Sequence, residues 1–441
     1  MSVAERPDGA RSGGDVSVAE LPDVETTYRR HVSAGRARLA AVLGGQVELE
    51  AHGCLVVDAN GTRYLSCGGY GTFLLGHGHP RVVAAVQEQA ARRALATRLF
   101  LDPVHASAAE ALANLAPAGL DRVYFATSGA DAVEAALKLA RLHGKRRLIG
   151  VEGGFHGKTF GALSVSGNAT LREPFAPLLD DVVRVPFGDA KALTEAVAQA
   201  GEQACVVLEP ILAEGGVRQP APGYLAAVAG ACRAHGALLV LDEIATGLGR
   251  VGAWWACEQE GVVPDMLLAG KALGGGVVPV GAVLASAAAF APFDRDPFIH
   301  SATFAGAPLV MAGARATLAT LVEEDVPQRA AQLGRRLVTE LQGALAEPLA
   351  AGLVREVRGR GLLVGIELAS PALAGEFEYE LVSRRVIPNH CLNHHSTVRF
   401  TPPVGLDDEQ VAWLLEAAAG SGAALLARQR ERRARARGGS R

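Results

Sequence analysis

Little in the composition of this 441-residue chain points to a charged partner or an extracellular setting. The net charge is only −3, which gives no electrostatic case for a nucleic-acid or membrane partner. None of the six cysteines forms a Cys-x-x-Cys pair, which favours reduced thiols and a cytoplasmic location over a disulfide framework. The N-terminus has no apolar signal segment, and no uninterrupted apolar run reaches membrane-spanning length. Aromatic residues make up 5% and hydrophobic residues 49%, which is typical of a globular protein rich in small apolar residues.

Between its two ends the chain alternates short apolar strands with helices. We expect strands over 147–151, 205–208, 237–241, 266–269 and 280–284, and helices over 130–143 and 223–235. This alternation predicts an α/β domain built on a mostly parallel sheet. The predicted divisions are a disordered lead (1–24), an N-terminal segment of a small domain (25–75), a large domain (76–310), a C-terminal small domain (311–427) and a basic disordered tail (428–441).

Lys271 lies between the apolar run 266–269 and three glycines, so its amine can approach a flat molecule closely. A solvated surface lysine is the simpler interpretation of such a residue taken alone. Asp242, however, ends another apolar strand, and ligands bind beyond the carboxyl ends of parallel strands. A lysine of lowered pKa beside a carboxylate predicts Schiff-base chemistry on pyridoxal phosphate, with the carboxylate on the pyridine nitrogen.

Two glycine-containing turns add candidate cofactor contacts. Ser128-Gly129-Ala130 leads from an apolar strand into a helix, where free N–H groups form an anion site, although an ordinary capped helix has the same signature. Phe155-His156 lies among glycines after a strand. The ring of Phe155 can lie flat against a heterocycle or simply pack in the core.

Charged residues near the C-terminus suggest a substrate side. Arg399 precedes a Pro-Pro turn, and an arginine in a pocket binds carboxylates bidentately, whereas a surface ion pair is the alternative. Glu214 lies in the loop beyond the strand-ending Glu209-Pro210. The loop 389–395, Asn-His-Cys-Leu-Asn-His-His, has no tetrahedral ligand spacing, so we predict a substrate-side loop and no metal.

A nicotinamide dehydrogenase is a remote alternative, because residues 247–252 match the dinucleotide-binding glycine pattern. The preceding strand ends at Leu241, too early for that pattern, and no acidic residue follows in a strand about 20 positions on. A non-catalytic relative is a further alternative.

Taken together, these motifs resemble the class III aminotransferases, a fold-type-I family of pyridoxal-phosphate enzymes, and look closest to its putrescine/ornithine branch. The resemblance spans about residues 45–420 and is carried by 69–71, 75–80, 128–130, 155–158, 209–211, 241–247, Lys271, Thr303-Phe304 and 358–361. It implies an α/β transferase whose large domain, 76–310, has a mostly parallel seven-stranded sheet, with a smaller α+β domain.

The resemblance also implies a role for each matching residue. Lys271 would form the Schiff base and later move a proton between the substrate Cα and the cofactor C4′, and Asp242 would keep the pyridine nitrogen protonated. The other implied cofactor residues are Ser128, Gly129, Ala130, Phe155, His156, Ile244, Ala245 and Thr303, the last from the partner subunit of a homodimer. The implied substrate residues are Tyr70, Lys158 and a gate pair, Glu214 and Arg399, in which the arginine binds an acceptor's carboxylate and the glutamate neutralises it when an amine enters.

Departures from the family pattern make the substrate less certain than the chemistry. Ala245 replaces the usual glutamine, and Ala307 replaces an asparagine. One lost hydrogen bond costs about 0.5–1.5 kcal/mol, so we expect activity to survive in a roomier pocket. The predicted reaction is a ping-pong transfer of an amino group between a terminal or ω-amine, or an aldehyde, and a 2-oxo acid or amino acid. A bulky biosynthetic aldehyde, or racemase, aminomutase or decarboxylase chemistry of the same family, is the alternative.

Overall fold

The computed structural model describes residues 23–438, so the predicted lead lies outside the described residues except for its last two. Within that range the strands are β1 Glu48–His52, β2 Leu55–Asp58, β3 Arg63–Ser66, β4 Arg122–Ala126, β5 Arg147–Val151, β6 Val182–Val185, β7 Ala204–Leu208, β8 Leu238–Asp242, β9 Met266–Ala269, β10 Gly281–Ala285, β11 Val354–Arg360, β12 Leu363–Leu368, β13 Val386–Ile387, β14 Asn389–His390 and β15 Thr397–Phe400.

The α-helices are α1 Val24–Thr27, α2 Ala34–Val42, α3 Pro80–Arg93, α4 Pro103–Ala113, α5 Gly129–Leu142, α6 Phe160–Val165, α7 Ala169–Arg172, α8 Ala190–Ala200, α9 Tyr224–Ala234, α10 Ala287–Arg295, α11 Pro308–Glu323, α12 Val326–Ala344, α13 Ala346–Ala350, α14 Pro371–Ser383 and α15 Asp408–Gly438. Short 3₁₀ turns cover Gly69–Gly71, Glu173–Phe175, Gly201–Gln203, Ala256–Glu260 and Lys271–Gly274, and a π turn covers Tyr28–Val32.

The chain divides into two compact units. Among the described residues, the smaller unit holds 23–50 together with Val56–Tyr64, and a tight turn follows strand β2. Asp58 stabilises that turn, because its Oδ1 accepts the backbone N–H groups of Asn60 and Thr62 at 2.9 Å each. A carboxylate that accepts from its own following residues is a common way to close such a turn.

The larger unit is organised around a seven-stranded sheet in the order β4-β10-β9-β8-β7-β5-β6. Strand β10 runs antiparallel to β4 and β9, and the other neighbours pair in parallel. Strands β7 and β9 are buried along their whole length, which explains their unbroken apolar sequences in a sheet covered on both faces. The α/β fold with a mostly parallel seven-stranded sheet is confirmed, and the predicted strands lie within one residue of the observed ones. The domain boundaries stay predictions.

The C-terminal part of the larger unit is an antiparallel sheet in the order β11-β12-β15-β14. Gly365 of β12 lies directly opposite Arg399 of β15, so the arginine is held by a paired strand rather than by a loop. This part combines helices with antiparallel strands, as expected for an α+β segment, but it belongs to the larger compact unit, so its extent as a separate small domain stays a prediction.

Helix α15 differs from the prediction at its end. Residues 428–438, predicted as a disordered tail, continue the helix, and Arg428, Arg430 and Arg432 form ion pairs with glutamates of neighbouring helices. By length and composition alone, Asp408–Arg435 could cross a membrane. Its apolar face, including Leu414, is buried in the protein core, as in a packed helix of a globular domain.

Candidate active site

A cavity of about 260 Å³ lies at the carboxyl ends of the parallel strands, where α/β sheets bind ligands. It is lined by Ser128, Gly129, Ala130, Phe155, His156, Gly157, Glu209, Ala213, Glu214, Asp242, Ile244, Ala245 and Lys271. Ten of the residues predicted from the sequence are in that lining, although they come from the ends of five different strands and the segments that follow them. The sheet topology therefore gathers a site that is scattered along the chain.

Lys271 follows strand β9 and begins a short helical turn with φ 43°, a left-handed conformation that costs a non-glycine residue about 1–3 kcal/mol. Gly71 lies so near that a Cβ there would be 3.4 Å from Lys271 Cδ, so the lysine stem is confined. Burial lowers the pKa of Lys271, although the charges of Glu214 and Asp242 oppose that shift. A larger fraction of the amine is then unprotonated and available as a nucleophile.

Asp242 ends strand β8 and is buried, with each carboxylate oxygen occupied. Its Oδ2 accepts from His156 Nδ1 at 2.7 Å, and its Oδ1 accepts from the backbone N–H of Ile244 at 3.1 Å. Burial alone would lower the pKa of His156, but the hydrogen bond to Asp242 and the charge of that carboxylate raise it. Two donors therefore hold the Asp242 side chain in place at the cavity.

Glu209 lines the same cavity, and the sequence patterns predicted no role for it. It accepts hydrogen bonds from the backbone N–H groups of Phe155 at 2.8 Å and Ala213 at 3.3 Å. Burial raises the pKa of Glu209 to about 7, with His156 opposing the rise and Asp242 adding to it. The signal in the sequence was Glu-Pro directly after a fully apolar strand, which is an unusual place for a carboxylate.

The other end of the cavity is the N-terminus of α5. Ser128 caps this helix, with its Oγ accepting from the N–H of Asp131 at 3.2 Å. A Cβ added to Gly129 would be only 2.9 Å from Ile244 Cδ1, so a glycine is needed for the turn to approach the cavity wall. First-turn N–H groups and the helix dipole make this end suited to a phosphate.

The donor set fits pyridoxal phosphate. A phosphate site at the start of α5, the buried carboxylate of Asp242 for a protonated ring nitrogen, and the amine of Lys271 line one cavity. Phe155 and Ile244 form apolar parts of the wall of this cavity. Ala245 lines the cavity as well and also packs against the apolar cluster that contains Ile211.

Arg399 is buried just behind the cavity wall and contacts it through Glu214. Its Nη2 donates to Glu214 Oε1 at 2.6 Å, and the two side chains are only 1% and 5% exposed. Burial opposes both charges, yet their mutual attraction raises the pKa of Arg399 and lowers that of Glu214. The structure thus shows the two residues as a closed ion pair, with the Nε of Arg399 buried and without a hydrogen-bond partner among the described residues.

Three predicted site residues lie away from this cavity. Tyr70 is half-exposed and lies edge-on to His390, and Lys158 is exposed. Thr303 lines a separate cavity of about 570 Å³ together with residues 95–106 of the same chain.

Two histidines of the loop 389–395, His390 and His394, take part in polar contacts with neighbouring side chains. His394 Nδ1 is 2.9 Å from Thr397 Oγ1, and its Nε2 is 3.0 Å from Arg218 Nη2. Between residues 23 and 438, no group of histidine, cysteine and acidic side chains could hold a metal ion.

The glycine pattern at 247–252 is explained by packing. A Cβ on Gly247 would be 2.6 Å from the ring of Trp255, and one on Gly252 would be 2.8 Å from Ala331 Cβ. These residues form turns after β8 rather than the start of a helix, so the dinucleotide-binding geometry is not formed here.

Comparisons with known proteins agree on one family. The model of the class-III aminotransferase family matches residues 45–419. The ornithine aminotransferase of Toxoplasma gondii ME49 is 30% identical, with a TM-score of 0.86 over 95% of this chain and 100% of its own. A second structure of the Toxoplasma gondii enzyme, which has partial occupancy of PLP at its active site, is 31% identical, with a TM-score of 0.85 over 92% of this chain and 95% of its own. An (S)-enantioselective omega-transaminase from Thermomicrobium roseum is 28% identical, with a TM-score of 0.83 over 91% of this chain and 98% of its own.

Proposed function

The chain belongs to the class III aminotransferases, and from that premise we propose how its residues divide the work of the reaction. It is a pyridoxal-phosphate-dependent aminotransferase that moves an amino group between an amine and an oxo acid. The observation that carries the assignment of residues is that Lys271 and Asp242 line one cavity with the start of α5.

When bound, pyridoxal phosphate supplies the carbonyl carbon that takes up the amino group and the ring that accepts the electrons of the substrate carbanion. Lys271 would hold the cofactor through its amine and would then carry a proton to and from the substrate Cα. Its lowered pKa favours both tasks, because the amine must be unprotonated to attack and to accept a proton.

Asp242 would keep the ring nitrogen protonated, and His156 orients Asp242 through the hydrogen bond from its Nδ1. Phe155 and Ile244 line the cavity and would cover the two faces of the bound ring, which would exclude water from the reacting atoms. The backbone N–H groups at Gly129 and Ala130, with Ser128, would hold the phosphate at the start of α5.

For the substrates we propose a terminal or ω-amine on one side and a 2-oxo acid on the other. The support is the Glu214–Arg399 pair: in its closed form the arginine is neutralised and the pocket accepts a carboxylate-free amine. When an acceptor's carboxylate enters, the fork of Arg399 can bind it in place of Glu214. The names of the similar structures support this proposal, because they include an ornithine aminotransferase and an omega-transaminase.

A bulky aldehyde acceptor is the second candidate, favoured by Ala245. Its small side chain lines the cavity and is backed by an apolar cluster, so a larger apolar group can fit on that side. Racemase, aminomutase and decarboxylase chemistry would use the same Lys271 and Asp242.

A panel of donors tests this assignment. Amines, diamines, ω-amino acids and α-amino acids are each mixed with the holoenzyme, and loss of the cofactor absorbance band is followed in a single half-reaction. We expect the terminal amines to react fastest and Lys271→Ala to react with none. Formation of CO₂, or of the opposite enantiomer without net amino transfer, would instead indicate one of the other chemistries.

We also propose that the active unit is a homodimer in which Thr303 reaches the partner's cofactor site. The support is that Thr303 is exposed and outside the cavity of its own chain, near a patch of exposed apolar side chains. The patch contains four side chains that are at least four-fifths exposed: Leu99 (85%), Phe100 (82%), Leu101 (101%) and Phe298 (84%). A group of exposed apolar side chains is uncommon on the surface of a monomer and often marks an interaction site.

Mixing two inactive variants tests the shared site. Thr303→Asp places a negative charge against the phosphate, whereas Lys271→Ala removes the amine. After the two proteins are dissociated and reassociated together, about a quarter of the native site activity should return if Thr303 serves the partner's site. No recovery in mixed dimers would contradict the proposal.

The location is proposed as cytoplasmic. The support is that Cys54, Cys67, Cys205, Cys232, Cys257 and Cys391 are free thiols. Cell fractionation with an antibody to the chain tests this, and recovery in a membrane or secreted fraction would contradict it.

A further inference from the structure

The loop 389–395 lies against Glu214, the glutamate of the gate pair, and has no role in the reaction as proposed. The backbone N–H of Leu392 donates to Glu214 Oε2 at 2.9 Å, and the backbone N–H of Asn393 donates to the main-chain oxygen of Glu214 at 3.0 Å. The loop therefore holds both the backbone and the carboxylate of Glu214. Residues 392 and 393 are far from Glu214 in sequence, so this is a tertiary contact and not a local turn.

The side chain of Asn393 points the other way, to the turn that precedes Phe155. Its Nδ2 donates to the carbonyl oxygens of Gly153 and Gly154 at 3.0 Å each. Its Oδ1 accepts from Asn168 Nδ2 at 3.0 Å, so all its polar atoms are used. Asn393 thus joins the turn on the cofactor side to the loop that holds the gate.

The two oxygens of the Glu214 carboxylate have different partners. Oε1 accepts from Arg399, and Oε2 accepts from the N–H of Leu392. If an acceptor's carboxylate takes Arg399, Glu214 loses its counter-charge while it is still buried. A buried carboxylate without hydrogen-bond donors raises the free energy of the folded protein. The N–H of Leu392 limits that increase, so it determines how easily Glu214 can release Arg399.

We propose that Asn393 is a positioning residue that selects between the two half-reactions, an inference that rests on the proposed gate function of Glu214 and Arg399. By fixing residues 392–393 to the Gly153–Gly154 turn, it keeps the Leu392 N–H on Glu214 after Arg399 turns to the acceptor. Its loss weakens the oxo-acid half-reaction and leaves the amine half-reaction unchanged, because in the amine half-reaction the ion pair stays closed.

The test measures both half-reactions of the holoenzyme by single turnover, with pyruvate and with butylamine as probes. Asn393→Ala removes both donors, and Asn393→Asp keeps the size and the acceptor for Asn168 but cannot donate to the two carbonyl oxygens. For either variant we expect the pyruvate rate constant to fall about tenfold and the butylamine rate constant to change less than about twofold. The matched control is His395→Ala, an exposed residue of the same loop, which should change neither rate.

A second comparison separates positioning from a general loss of structure. In the Arg399→Ala background the oxo acid no longer binds the gate, so adding Asn393→Ala should leave the pyruvate rate unchanged. An equal fall in both half-reactions, or a fall that persists without Arg399, would overturn the proposal. Failure of the gate itself has a different signature, since Arg399→Ala alone would then affect pyruvate and butylamine equally.

Discussion

Replacing Glu214 with glutamine is the most direct perturbation of substrate choice, because it removes one charge and almost no volume. In the native protein this carboxylate accepts from Arg399 Nη2 at 2.6 Å, and both side chains are nearly inaccessible to solvent. Salt and water therefore screen the attraction between the two charges only weakly, whereas the same attraction between exposed charges would be much smaller. The guanidinium of the variant has a neutral neighbour and an unpaired Nε.

The size of the effect follows from that geometry. A hydrogen bond to a charged group contributes about 1.5–3 kcal/mol, which corresponds to roughly 10- to 150-fold in a rate or binding constant. Without Glu214 as a competitor, an oxo acid reaches Arg399 more easily, so its rate constant rises. An alkyl amine then has to enter beside an uncompensated buried cation, so its rate constant falls. The preference for oxo acid over amine should increase by about 10- to 150-fold.

The assay is the pair of single-turnover half-reactions, followed through the cofactor absorbance. Glu209→Gln is the matched control, because this carboxylate lines the same cavity but accepts from backbone N–H groups instead of Arg399. It should leave the oxo-acid to amine ratio unchanged. If Glu214→Gln moves both half-reactions in the same direction by the same factor, the ion pair is structural and the gate reasoning is refuted.

The pH dependence supplies a second readout of the same pair. Arg399 holds the pKa of Glu214 below its ordinary value of 4.5, although burial opposes that shift. The stabilising charge is therefore present above pH 4.5 and is lost only as the pH falls through the lower folded-state pKa. Native enzyme should acquire the preference of Glu214→Gln only in that acidic range, and the variant should show no such transition.

Two further substitutions test the cofactor side. Gly129→Ala would place a Cβ 2.9 Å from Ile244 Cδ1. We therefore expect the dissociation constant of pyridoxal phosphate, measured by equilibrium dialysis, to rise about tenfold. Gly230→Ala is the control and should leave this constant unchanged, because a Cβ there meets nothing within 4 Å. Asp242→Asn keeps the volume but removes the charge that His156 Nδ1 supports, so the single-turnover rate should fall about a hundredfold or more, and a near-native rate would contradict its role on the ring nitrogen.

Much of the fold is predictable because the central strands are buried on both faces. A strand such as β9, with no exposed position, must be apolar at every residue, and the glycines and acidic residues that follow mark its end. The same rule predicts where Lys271 and Asp242 lie, since the carboxyl ends of parallel strands meet at one edge. The helical course of residues 428–438 was missed because its arginines pair with glutamates of other helices, which no local pattern reveals.

Some residues of the candidate site can also be predicted from local sequence, whereas others depend on distant contacts. Ser128, Gly129 and Phe155 lie in short local motifs, where the order of a strand, a glycine and a helix already specifies the geometry. The role of Glu209 could not be predicted from its motif, because it depends on accepting the N–H of Phe155, 54 residues earlier. Nothing in the sequence near Glu209 indicates that partner.

The substrate side shows the physical limit of such predictions. Glu214 and Arg399 are 185 residues apart, Glu214 and Leu392 are 178 apart, and Asn393 reaches Gly153 across 240 residues. These contacts form only after two sheets have packed, so their geometry depends on the whole fold and not on a local signature. The cofactor chemistry can therefore stay fixed while the loop 389–395 changes, which makes that loop the place where substitutions alter the substrate without altering the reaction.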